Sequence, residues 1–331
     1  MKNFWSTLPK PFFSLAPLED VTDAAFRRLI AAYGRPDVMF TEFTSADSLV
    51  LAEEKGRQKL RIKLLYSEIE RPIVAQLFSS ISEHMERASR LVAKLQFDGV
   101  DINMGCPDRA VEKGGCGAAL IKDPARAREL IVAAKNSGLP VSVKTRIGYD
   151  KDELETWLPQ LLAEEPAAIT LHARTRKEMS DVPAHWDRIA RAVQIRDKIK
   201  SETLIIGNGD LQNLADARAR ATQTGCDGAM LGRAVFGNPW LFADRTALPT
   251  PHERINALVQ HLELFDKLLG HATSYSTMKK HFKAYIAGWN GAKDLRATLM
   301  ATTSSAEARK ILASAIPHEM TQTISRGILA A

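Results

Sequence analysis

Short apolar runs alternate with helical patterns from Phe12 to Arg233, and this alternation constrains the fold more than any other feature. The runs are continuous rather than alternately polar, as expected for strands covered on both faces of a parallel sheet. Eight strands are predicted: Phe12–Leu18, Val38–Phe43, Pro72–Phe78, Gly99–Gly105, Pro140–Arg146, Ala167–Ala173, Thr203–Gly209 and Gly228–Arg233.

Helical patterns occupy the segments between these strands. Thr22 is expected to cap a helix over Asp23–Tyr33, which Gly34 ends. Pro124 is expected at the first position of a helix over Asp123–Ala134. Eight strand–helix units favour a closed (β/α)8 TIM barrel, an α/β fold, over a doubly wound open sheet, which is the second choice. Two further helices are predicted over Ser82–Lys94 and Asn213–Thr222.

The pattern changes after Pro249-Thr250-Pro251, beyond which no strand is predicted. A chain of 331 residues also exceeds a typical barrel of about 250 residues. The sequence therefore predicts a barrel domain over residues 1–249 and a small all-α domain over residues 250–331. The helices predicted for the small domain are Arg254–Leu269, Tyr275–Trp289, Lys293–Met300 and Ala306–Ile316.

The small domain carries much of the positive charge of the chain. From Pro251 to Ala331 there are ten Lys or Arg and six Asp or Glu, a net charge of +4 out of +6 for the whole chain. A basic excess in a small domain suits a polyanionic partner such as a nucleic acid. A solvated helical face has the same composition, so charge alone leaves both interpretations open.

Composition excludes several other classes. No run of about 18 apolar residues is present, so no transmembrane helix is predicted. The N-terminus lacks the apolar core of a signal peptide. The three cysteines, Cys106, Cys116 and Cys226, argue against a disulfide framework and match no zinc pattern, so no metal site is predicted. We therefore expect a monomer in the reducing cytoplasm, without membrane contact.

Polar residues stand at the C-terminal ends of the predicted strands, where barrel enzymes carry their chemistry. Each one has a plain structural explanation, because buried polar groups are generally hydrogen-bonded. The convergence of so many at one rim is poorly explained by structure alone and predicts a site there. They are Glu19, Glu42, Gln76, Asn103, Cys106, Lys144, Arg146, His172, Arg174, Asn208, Asp210 and Arg233.

Two motifs at this rim suggest specific chemistry. Asn103-Met104-Gly105-Cys106-Pro107 places a thiol where a strand enters a glycine-rich loop, although a single cysteine is most often a small buried hydrophobe. Asn208-Gly209-Asp210 and Gly232-Arg233 follow the last two strands and are expected to be tight turns that lead into helices. Glycine lets backbone N–H groups approach a phosphate there, and a helix N-terminus adds a favourable dipole. These paired turns predict a phosphorylated cofactor or substrate.

In their order and spacing, these motifs resemble the tRNA-dihydrouridine synthase family, nearest its bacterial B type. The resemblance runs from Ala16-Pro17-Leu18-Glu19-Asp20 to Gly237-Asn238-Pro239-Trp240 and continues in the tail with Met278-Lys279-Lys280-His281-Phe282. Leu18 stands where the family usually has Met, a replacement of similar size and polarity.

The resemblance implies an FMN-dependent oxidoreductase that takes electrons from NADPH or NADH and reduces the C5–C6 double bond of uridine in the tRNA D-loop. Cys106, which matches the cysteine of the family where Cys116 does not, would donate the proton to C5. The FMN-binding residues implied are Pro17, Leu18, Glu19, Gln76, Lys144, His172, Asn208, Gly209, Asp210, Gly232 and Arg233. The tRNA-binding residues implied are Asn103 and Arg146 at the uracil, and Lys279, Lys280, Lys283 and Arg296 at phosphates.

Three other functions use parts of the same pattern. A dihydroorotate-dehydrogenase-like flavoenzyme shares the barrel, FMN and pyrimidine chemistry but does not need a basic helical tail. An aldolase-like barrel could use Lys144 as a Schiff base without a flavin. A non-catalytic RNA-binding protein could use the tail alone. Flavin colour separates the last two from a flavoenzyme, and retention of RNA separates the first.

Overall fold

The computed structural model describes residues 3–243 and 245–315, and within them nine parallel strands form one sheet. The strand order is β1-β9-β8-β7-β6-β5-β4-β2, with β3 also paired to β4. The strands are β1 (Phe12–Leu15), β2 (Met39–Phe40), β3 (Thr44–Ser45), β4 (Ile73–Phe78), β5 (Gly99–Met104), β6 (Val141–Arg146), β7 (Ala168–His172), β8 (Leu204–Asn208) and β9 (Gly228–Leu231).

The two ends of this sheet meet at β1 and the residue before β2. The Leu15 N–H donates to the Val38 carbonyl at 3.1 Å, beside a single parallel bridge between the two segments. The sheet is therefore a nearly closed barrel, which confirms the predicted (β/α)8 fold and excludes the doubly wound open sheet. The second predicted strand is interrupted, because its pairing with β4 covers only Met39–Phe40 and then Thr44–Ser45.

Helices connect the strands, and further helices follow the last strand. The helices up to β9 are α1 (Ala24–Gly34), α2 (Ala46–Leu51), α3 (Glu54–Lys63), α4 (Ser82–Lys94), α5 (Arg109–Lys113), α6 (Pro124–Lys135), α7 (Leu154–Leu162), α8 (Trp186–Ile199) and α9 (Leu214–Thr224). Those after β9 are α10 (Pro251–Leu268), α11 (Lys279–Tyr285), α12 (Ala292–Ala301) and α13 (Ser305–Ser314). Short 3-10 turns cover Phe4–Thr7, Glu68–Glu70, Gly117–Lys122, Arg233–Val235 and Tyr275–Met278.

The predicted tail helices exist with altered bounds. The single helix predicted over Tyr275–Trp289 is a 3-10 turn followed by α11, which ends at Tyr285. Ile316, the last residue of the fourth predicted tail helix, lies outside the described residues. No helix among residues 3–243 and 245–315 is long and apolar enough to span a membrane.

Helix α1 begins one residue later than predicted because Asp23, not Thr22, caps it. The Asp23 carboxylate accepts a hydrogen bond from the Phe26 N–H at 2.9 Å, and Asp is a stronger N-cap than Thr. Gly34 is the last helical residue rather than the residue after the helix. A Cβ on Gly34 would lie 2.3 Å from the backbone nitrogen of Ala243, so close approach of the chain requires this glycine.

An apolar cluster fills the barrel near the N-terminal ends of the strands. Trp5, only 1% exposed, packs there against strand residues including Phe12 and Phe40, with ring centroids 5.9 and 6.4 Å away. Truncating such a buried aromatic side chain to Ala typically costs about 3–5 kcal/mol. This end of the barrel contributes stability, and the opposite end is left to the polar residues.

The described chain forms two compact units that do not follow chain order. Helix α1 belongs to the second unit, where it packs against α10. The predicted division of roles between residues 1–249 and 250–331 stays a prediction. The first unit comprises the chain up to Glu19 with Asp37–Leu64 and Arg71–Arg233, and the second comprises Asp20–Pro36, Leu65–Glu70 and the chain from Ala234 onward.

The second unit has its own buried ion pair. Arg27 and Glu70 lie 2.9 Å apart, and both side chains are fully buried. Arg27 also donates to the Thr22 carbonyl at 2.8 Å. Removing either partner would leave a buried charge without compensation, at a cost of about 3–5 kcal/mol.

Candidate active site

The register of the strands brings predicted site residues to one end of the barrel. Asn103 of β5 lies beside Lys144 of β6. His172, the last residue of β7, lies between Arg146 of β6 and Asn208 of β8. Each of these residues is at or close to the C-terminal end of its strand, so neighbouring side chains share one rim.

A buried carboxylate, which the sequence analysis did not single out, organises the polar side chains on β4 and β5. Asp101 is fully buried and accepts hydrogen bonds from Gln76 Nε2 at 2.7 Å and Ser142 Oγ at 2.6 Å. Gln76 Oε1 in turn accepts from Asn103 Nδ2 at 3.1 Å. Burial raises the pKa of Asp101 to about 6, against the lowering effect of its two donors.

Asn103 connects this group of hydrogen-bonded side chains to the backbone of Cys106. Its Oδ1 accepts from the N–H of Gly105 at 3.1 Å and from the N–H of Cys106 at 2.9 Å. The Cys106 carbonyl accepts from the Ala118 N–H at 2.9 Å. The backbone of Cys106 is therefore held on both sides of its side chain.

Cys106 is the partly exposed one of the three cysteines, whereas Cys116 and Cys226 are buried. Burial is the main cause that raises the pKa of the Cys106 thiol, although Lys144 and Arg146 act in the opposite direction. Burial also raises the pKa of Cys116, to about 11. A thiol with a raised pKa is protonated at neutral pH and can act as an acid.

Lys144 extends its ammonium group toward β8. Nζ lies 3.4 Å from Asn208 Oδ1, and Asn208 Nδ2 donates to the Met230 carbonyl at 2.8 Å, which fixes the amide orientation. Burial, followed by the charge of Arg146, lowers the pKa of Lys144 to about 8. The ammonium group is held in a position where an anion would stabilise its charged form.

His172 is held neutral beside several cations. Burial, followed by the charges of Lys144, Arg146, Arg174 and Arg233, lowers its pKa well below the usual value. Arg174 Nη1 lies 3.1 Å from His172 Nε2. Because a guanidinium can only donate, Nε2 accepts and the proton of the neutral ring is on Nδ1.

Asp210 joins two arginines at the end of β8. It receives Arg174 Nη2 on Oδ2 and Arg233 Nη2 on Oδ1, the latter at 2.7 Å. Burial would raise the pKa of Asp210, but the hydrogen bonds and charges of its partners lower it. Asp210 therefore orients Arg233, whose side chain is 62% exposed.

The two glycines of the predicted phosphate turns differ in whether the structure could accommodate a larger residue. Gly209 has φ +133°, and a Cβ there would lie 2.7 Å from the Cβ of Ala184. A Cβ on Gly232 would meet Ala16 at 3.5 Å, an ordinary contact. Gly232 also leads into a 3-10 turn of three residues rather than the predicted helix, so it has no helix dipole behind it.

Arg146 is largely occupied by backbone carbonyl groups. Its Nε donates to Gly105 at 2.9 Å, and its Nη1 donates to Thr175 at 3.0 Å and Met179 at 3.1 Å. Burial lowers its pKa to about 10. The structure thus ties Arg146 to the segment that carries Cys106, a role that the sequence did not suggest.

The residues after β1 lie in different environments. Pro17 is buried, Leu18 is half-buried against the apolar barrel cluster, and Glu19 is exposed and paired with Lys63. The ion pair of Glu19 is a second contact that the sequence did not indicate.

The predicted phosphate-binding cations of the tail have local partners. Lys279 Nζ donates to the Met300 carbonyl at 2.9 Å, and Lys280 lies 3.4 Å from Asp20. Arg296 donates to the Ile286 carbonyl at 3.0 Å. Lys283 is exposed, and it shares a face of α11 with the other two lysines because it follows them by four and three positions.

The sequence of the chain matches a known protein family. A model of the dihydrouridine synthase family matches residues 14–321. The chain belongs to the dihydrouridine synthase family. This confirms the family resemblance and the prediction that the chain is an enzyme.

Curated relatives match along most of their length. The chain is 44% identical over 313 residues to "Probable tRNA-dihydrouridine synthase 2" of Bacillus subtilis (strain 168), covering 94% of this chain and 96% of that relative. It is also 44% identical over 313 residues to "Probable tRNA-dihydrouridine synthase" of Staphylococcus epidermidis (strain RP62A), covering 94% and 95%.

Solved structures with distant sequences share the fold. Histamine dehydrogenase from Rhizobium sp. 4-9 superposes with a TM-score of 0.51 at 14% identity, covering 76% of this chain and 48% of that chain. A 2-naphthoyl-CoA reductase superposes with a TM-score of 0.52 at 11% identity, covering 70% and 49%. These likenesses support the barrel fold alone.

Proposed function

We propose that the chain is an FMN-dependent tRNA-dihydrouridine synthase that uses NADPH or NADH to reduce the C5–C6 double bond of a D-loop uridine. The observation that carries the proposal is the partly exposed Cys106 at the rim of a barrel of this family, with its backbone N–H bonded to Asn103 and the preceding carbonyl bonded to Arg146. The names of the curated relatives support the same activity and the same substrate class.

The residues at the rim fit an anionic flavin phosphate. Lys144, Arg146, Arg174 and Arg233 all contribute to the low pKa of His172, while Asp210 is the acidic group paired to Arg174 and Arg233. An anionic cofactor would balance this excess of positive charge. The residues proposed to hold FMN are Pro17, Leu18, Glu19, Gln76, Lys144, His172, Asn208, Gly209, Asp210, Gly232 and Arg233.

Within this set, three residues have distinct proposed tasks. A phosphate would approach the backbone at Gly209, and Arg233, oriented by Asp210, would donate to it. Lys144 would stabilise negative charge at the N1–O2 edge of the flavin. When bound and reduced by NADPH or NADH, FMN would supply the hydride to C6 of the uracil.

Cys106 provides the proton that balances the hydride. Its thiol donates the proton to C5, the sulfur is left as a thiolate, and solvent returns a proton after product release. Lys144 and Arg146 stabilise the thiolate, since their charges lower the pKa of this thiol. Asn103 and Arg146 are proposed to face the uracil edge. Each would donate to it with side-chain N–H groups that its contacts within the protein do not use.

The tail is proposed to bind the folded tRNA. Lys279, Lys280, Lys283 and Arg296 would contact phosphates and contribute an affinity that falls with salt. The uridine must leave the folded tRNA to reach a barrel mouth, and extrusion costs a few kcal/mol that these contacts offset. We propose that the enzyme acts as a cytoplasmic monomer.

The test uses purified protein, FMN, NADPH and an unmodified tRNA transcript, with dihydrouridine measured by mass spectrometry of nucleosides. We expect a yellow protein that forms dihydrouridine, and no product from a transcript whose D-loop uridines are replaced by cytidine. A yellow protein that oxidises NADPH but leaves tRNA unchanged would favour a small-pyrimidine flavoenzyme. A colourless protein that cannot be loaded with FMN would favour the aldolase-like or RNA-binding alternative.

A further inference from the structure

Cys106 lies at the start of a loop, residues 105–117, that we call the cysteine loop. Inside it, α5 (Arg109–Lys113) begins at Asp108, whose carboxylate caps the helix, and the Glu112 side chain extends from this helix. Asn103 and Arg146 hold the N-terminal end of the loop. Its C-terminal end is held by the hydrogen bond that the Ala118 N–H donates to the Cys106 carbonyl. In the middle of the loop, Ser80 Oγ donates to the Gly114 carbonyl at 2.7 Å.

Arg176, in the segment after β7, makes a further contact with the loop, to α5 and to the residue next to Cys106. Its Nε donates to Glu112 Oε1 at 2.9 Å and to Oε2 at 3.1 Å, and its Nη2 also donates to Oε2. The same Nη2 lies 3.5 Å from the Pro107 carbonyl, one residue after the cysteine. One guanidinium thus joins α5 and the backbone next to Cys106 to the segment that follows β7.

Arg176 is itself held in place. Its N–H donates to the Gly148 carbonyl at 2.9 Å, and the guanidinium lies 5.4 Å from the ring centroid of Tyr149. The side chains of Arg176 and Glu112 are 25% and 10% exposed. A forked, partly desolvated pair of this kind fixes geometry in a way that an exposed ion pair does not.

We propose that Arg176 is a positioning residue for the Cys106 thiol and acts through Glu112 and the Pro107 carbonyl. This inference rests on the proposed function for the role of the thiol, but the contacts themselves do not depend on it. With the pair formed, the cysteine loop holds Cys106 where it can reach C5 of the uracil. With the pair broken, α5 and the Pro107 carbonyl lose their link to the segment after β7, and the Cys106 side chain is positioned less tightly.

The chain offers a matched control in Arg191 and Glu155. This pair has the same forked geometry, with two contacts of 2.9 Å, but it joins α7 to α8 and its side chains are 43% and 50% exposed. Glutamine removes the charge of either member of a pair, with nearly unchanged size in place of Glu and with a shorter side chain in place of Arg, and the Arg191→Gln control shares that shortening. The test compares Arg176→Gln, Glu112→Gln, Arg176→Lys and Arg191→Gln with wild type, all loaded with FMN.

The first readout is the rate of alkylation of each cysteine by iodoacetamide, measured by peptide mass spectrometry. We expect Arg176→Gln and Glu112→Gln to raise the rate at Cys106 severalfold and to leave the buried Cys226 unchanged. The second readout is steady-state kinetics with tRNA. We expect kcat to fall by about 10- to 100-fold, since a displacement of about 1 Å can cost about 10²-fold, with KM and flavin content unchanged. Arg176→Lys should lie between wild type and Arg176→Gln, because it keeps the charge and loses the fork.

The outcomes separate the alternatives. If Arg176→Gln and Glu112→Gln behave like Arg191→Gln, the pair is an ordinary ion pair and the proposal is overturned. A raised KM with unchanged kcat would mean that Arg176 binds tRNA directly, which also overturns it, as does a parallel rise in the alkylation of Cys226. A selective change at Cys106 in a wild-type protein that forms no dihydrouridine would support the positioning contact and reject the proposed function.

Discussion

The carboxylate of Asp101 should cost the folded protein free energy at neutral pH, and Asp101→Asn should remove that cost. Burial raises the pKa of Asp101 from 3.8 to about 6. Because the folded state then binds the proton more tightly than the unfolded state, the contribution to stability is fully present below about pH 4 and is lost as the pH rises through 6. The shift of roughly two units corresponds to about 3 kcal/mol at 1.36 kcal/mol per unit.

Urea unfolding at pH 4 and pH 7 measures this difference. Between these two pH values, wild type should lose about 2 kcal/mol relative to Asp101→Asn, because the carboxyl group of the unfolded chain is already partly ionised at pH 4. Asp23→Asn is the matched control, because burial also raises the pKa of Asp23 to about 6 and Asn caps a helix as well as Asp does. Wild type should lose a similar amount of stability relative to Asp23→Asn between pH 4 and pH 7, and Asp23→Asn should leave the cysteine loop intact. An Asp101→Asn protein whose stability follows wild type at both pH values would refute the reasoning.

Turnover should fall in Asp101→Asn even though its stability at pH 7 is nearly unchanged. A carboxylate only accepts, so it fixes the amide orientation of Gln76, which fixes Asn103, which accepts from the N–H of Cys106. An amide at position 101 brings its own donors, and one mismatched pair in the series costs about 1–3 kcal/mol. That loss offsets most of the gain from removing the charge. Wild-type turnover by this variant would show that Asp101 does not orient the series.

The remaining predictions concern the thiol, the cofactor and the tail. Cys106→Ala should bind FMN and be reduced by NADPH but lose about 10²–10⁴-fold in dihydrouridine formation, whereas Cys116→Ala should lose much less; the reverse result would transfer the acid to Cys116. Arg233→Ala should weaken FMN binding by about 1.5–3 kcal/mol, measured by flavin fluorescence titration, and unchanged affinity would remove Arg233 from the phosphate site. A tail variant replaces Lys279, Lys280 and Lys283 by Ala. It should bind tRNA more weakly, and the slope of log affinity against log salt should become shallower by up to about one unit per lost phosphate contact, while NADPH oxidation without tRNA stays constant. Full tRNA affinity would identify these lysines as a solvated face.

The barrel could be predicted because its strands carry their own signal. Each is a continuous apolar run, and all eight predicted runs contain a strand of the sheet. The bounds and caps were less predictable, since they depend on contacts distant in sequence. Gly34 is the last residue of α1 rather than the residue after it and lies against Ala243, and the second predicted strand breaks between Met39–Phe40 and Thr44–Ser45.

The residues at the rim could be predicted, but not their partners. Lys144, His172 and Asn208 are polar residues at the ends of apolar runs, so they can be recognised in the sequence once the strands are predicted. Asp101 lies inside β5, two positions before Asn103, and this spacing places both on one face of the strand. That spacing was the available signal. Glu112 and Arg176 had none, because loop geometry alone brings them together from 64 positions apart.

The environment of Cys106 reconciles two demands on an acid. A proton donor must be protonated at neutral pH, and burial, the larger effect, keeps the pKa of this thiol high. It must also release the proton at a small cost, and Lys144 and Arg146 lower the pKa by stabilising the thiolate that remains. Arg146 meets this demand while its own donors hold the Gly105 carbonyl at 2.9 Å. The cation that stabilises the product of proton transfer is therefore also a contact that places the acid, so replacing Arg146 should slow proton donation and loosen the cysteine loop together.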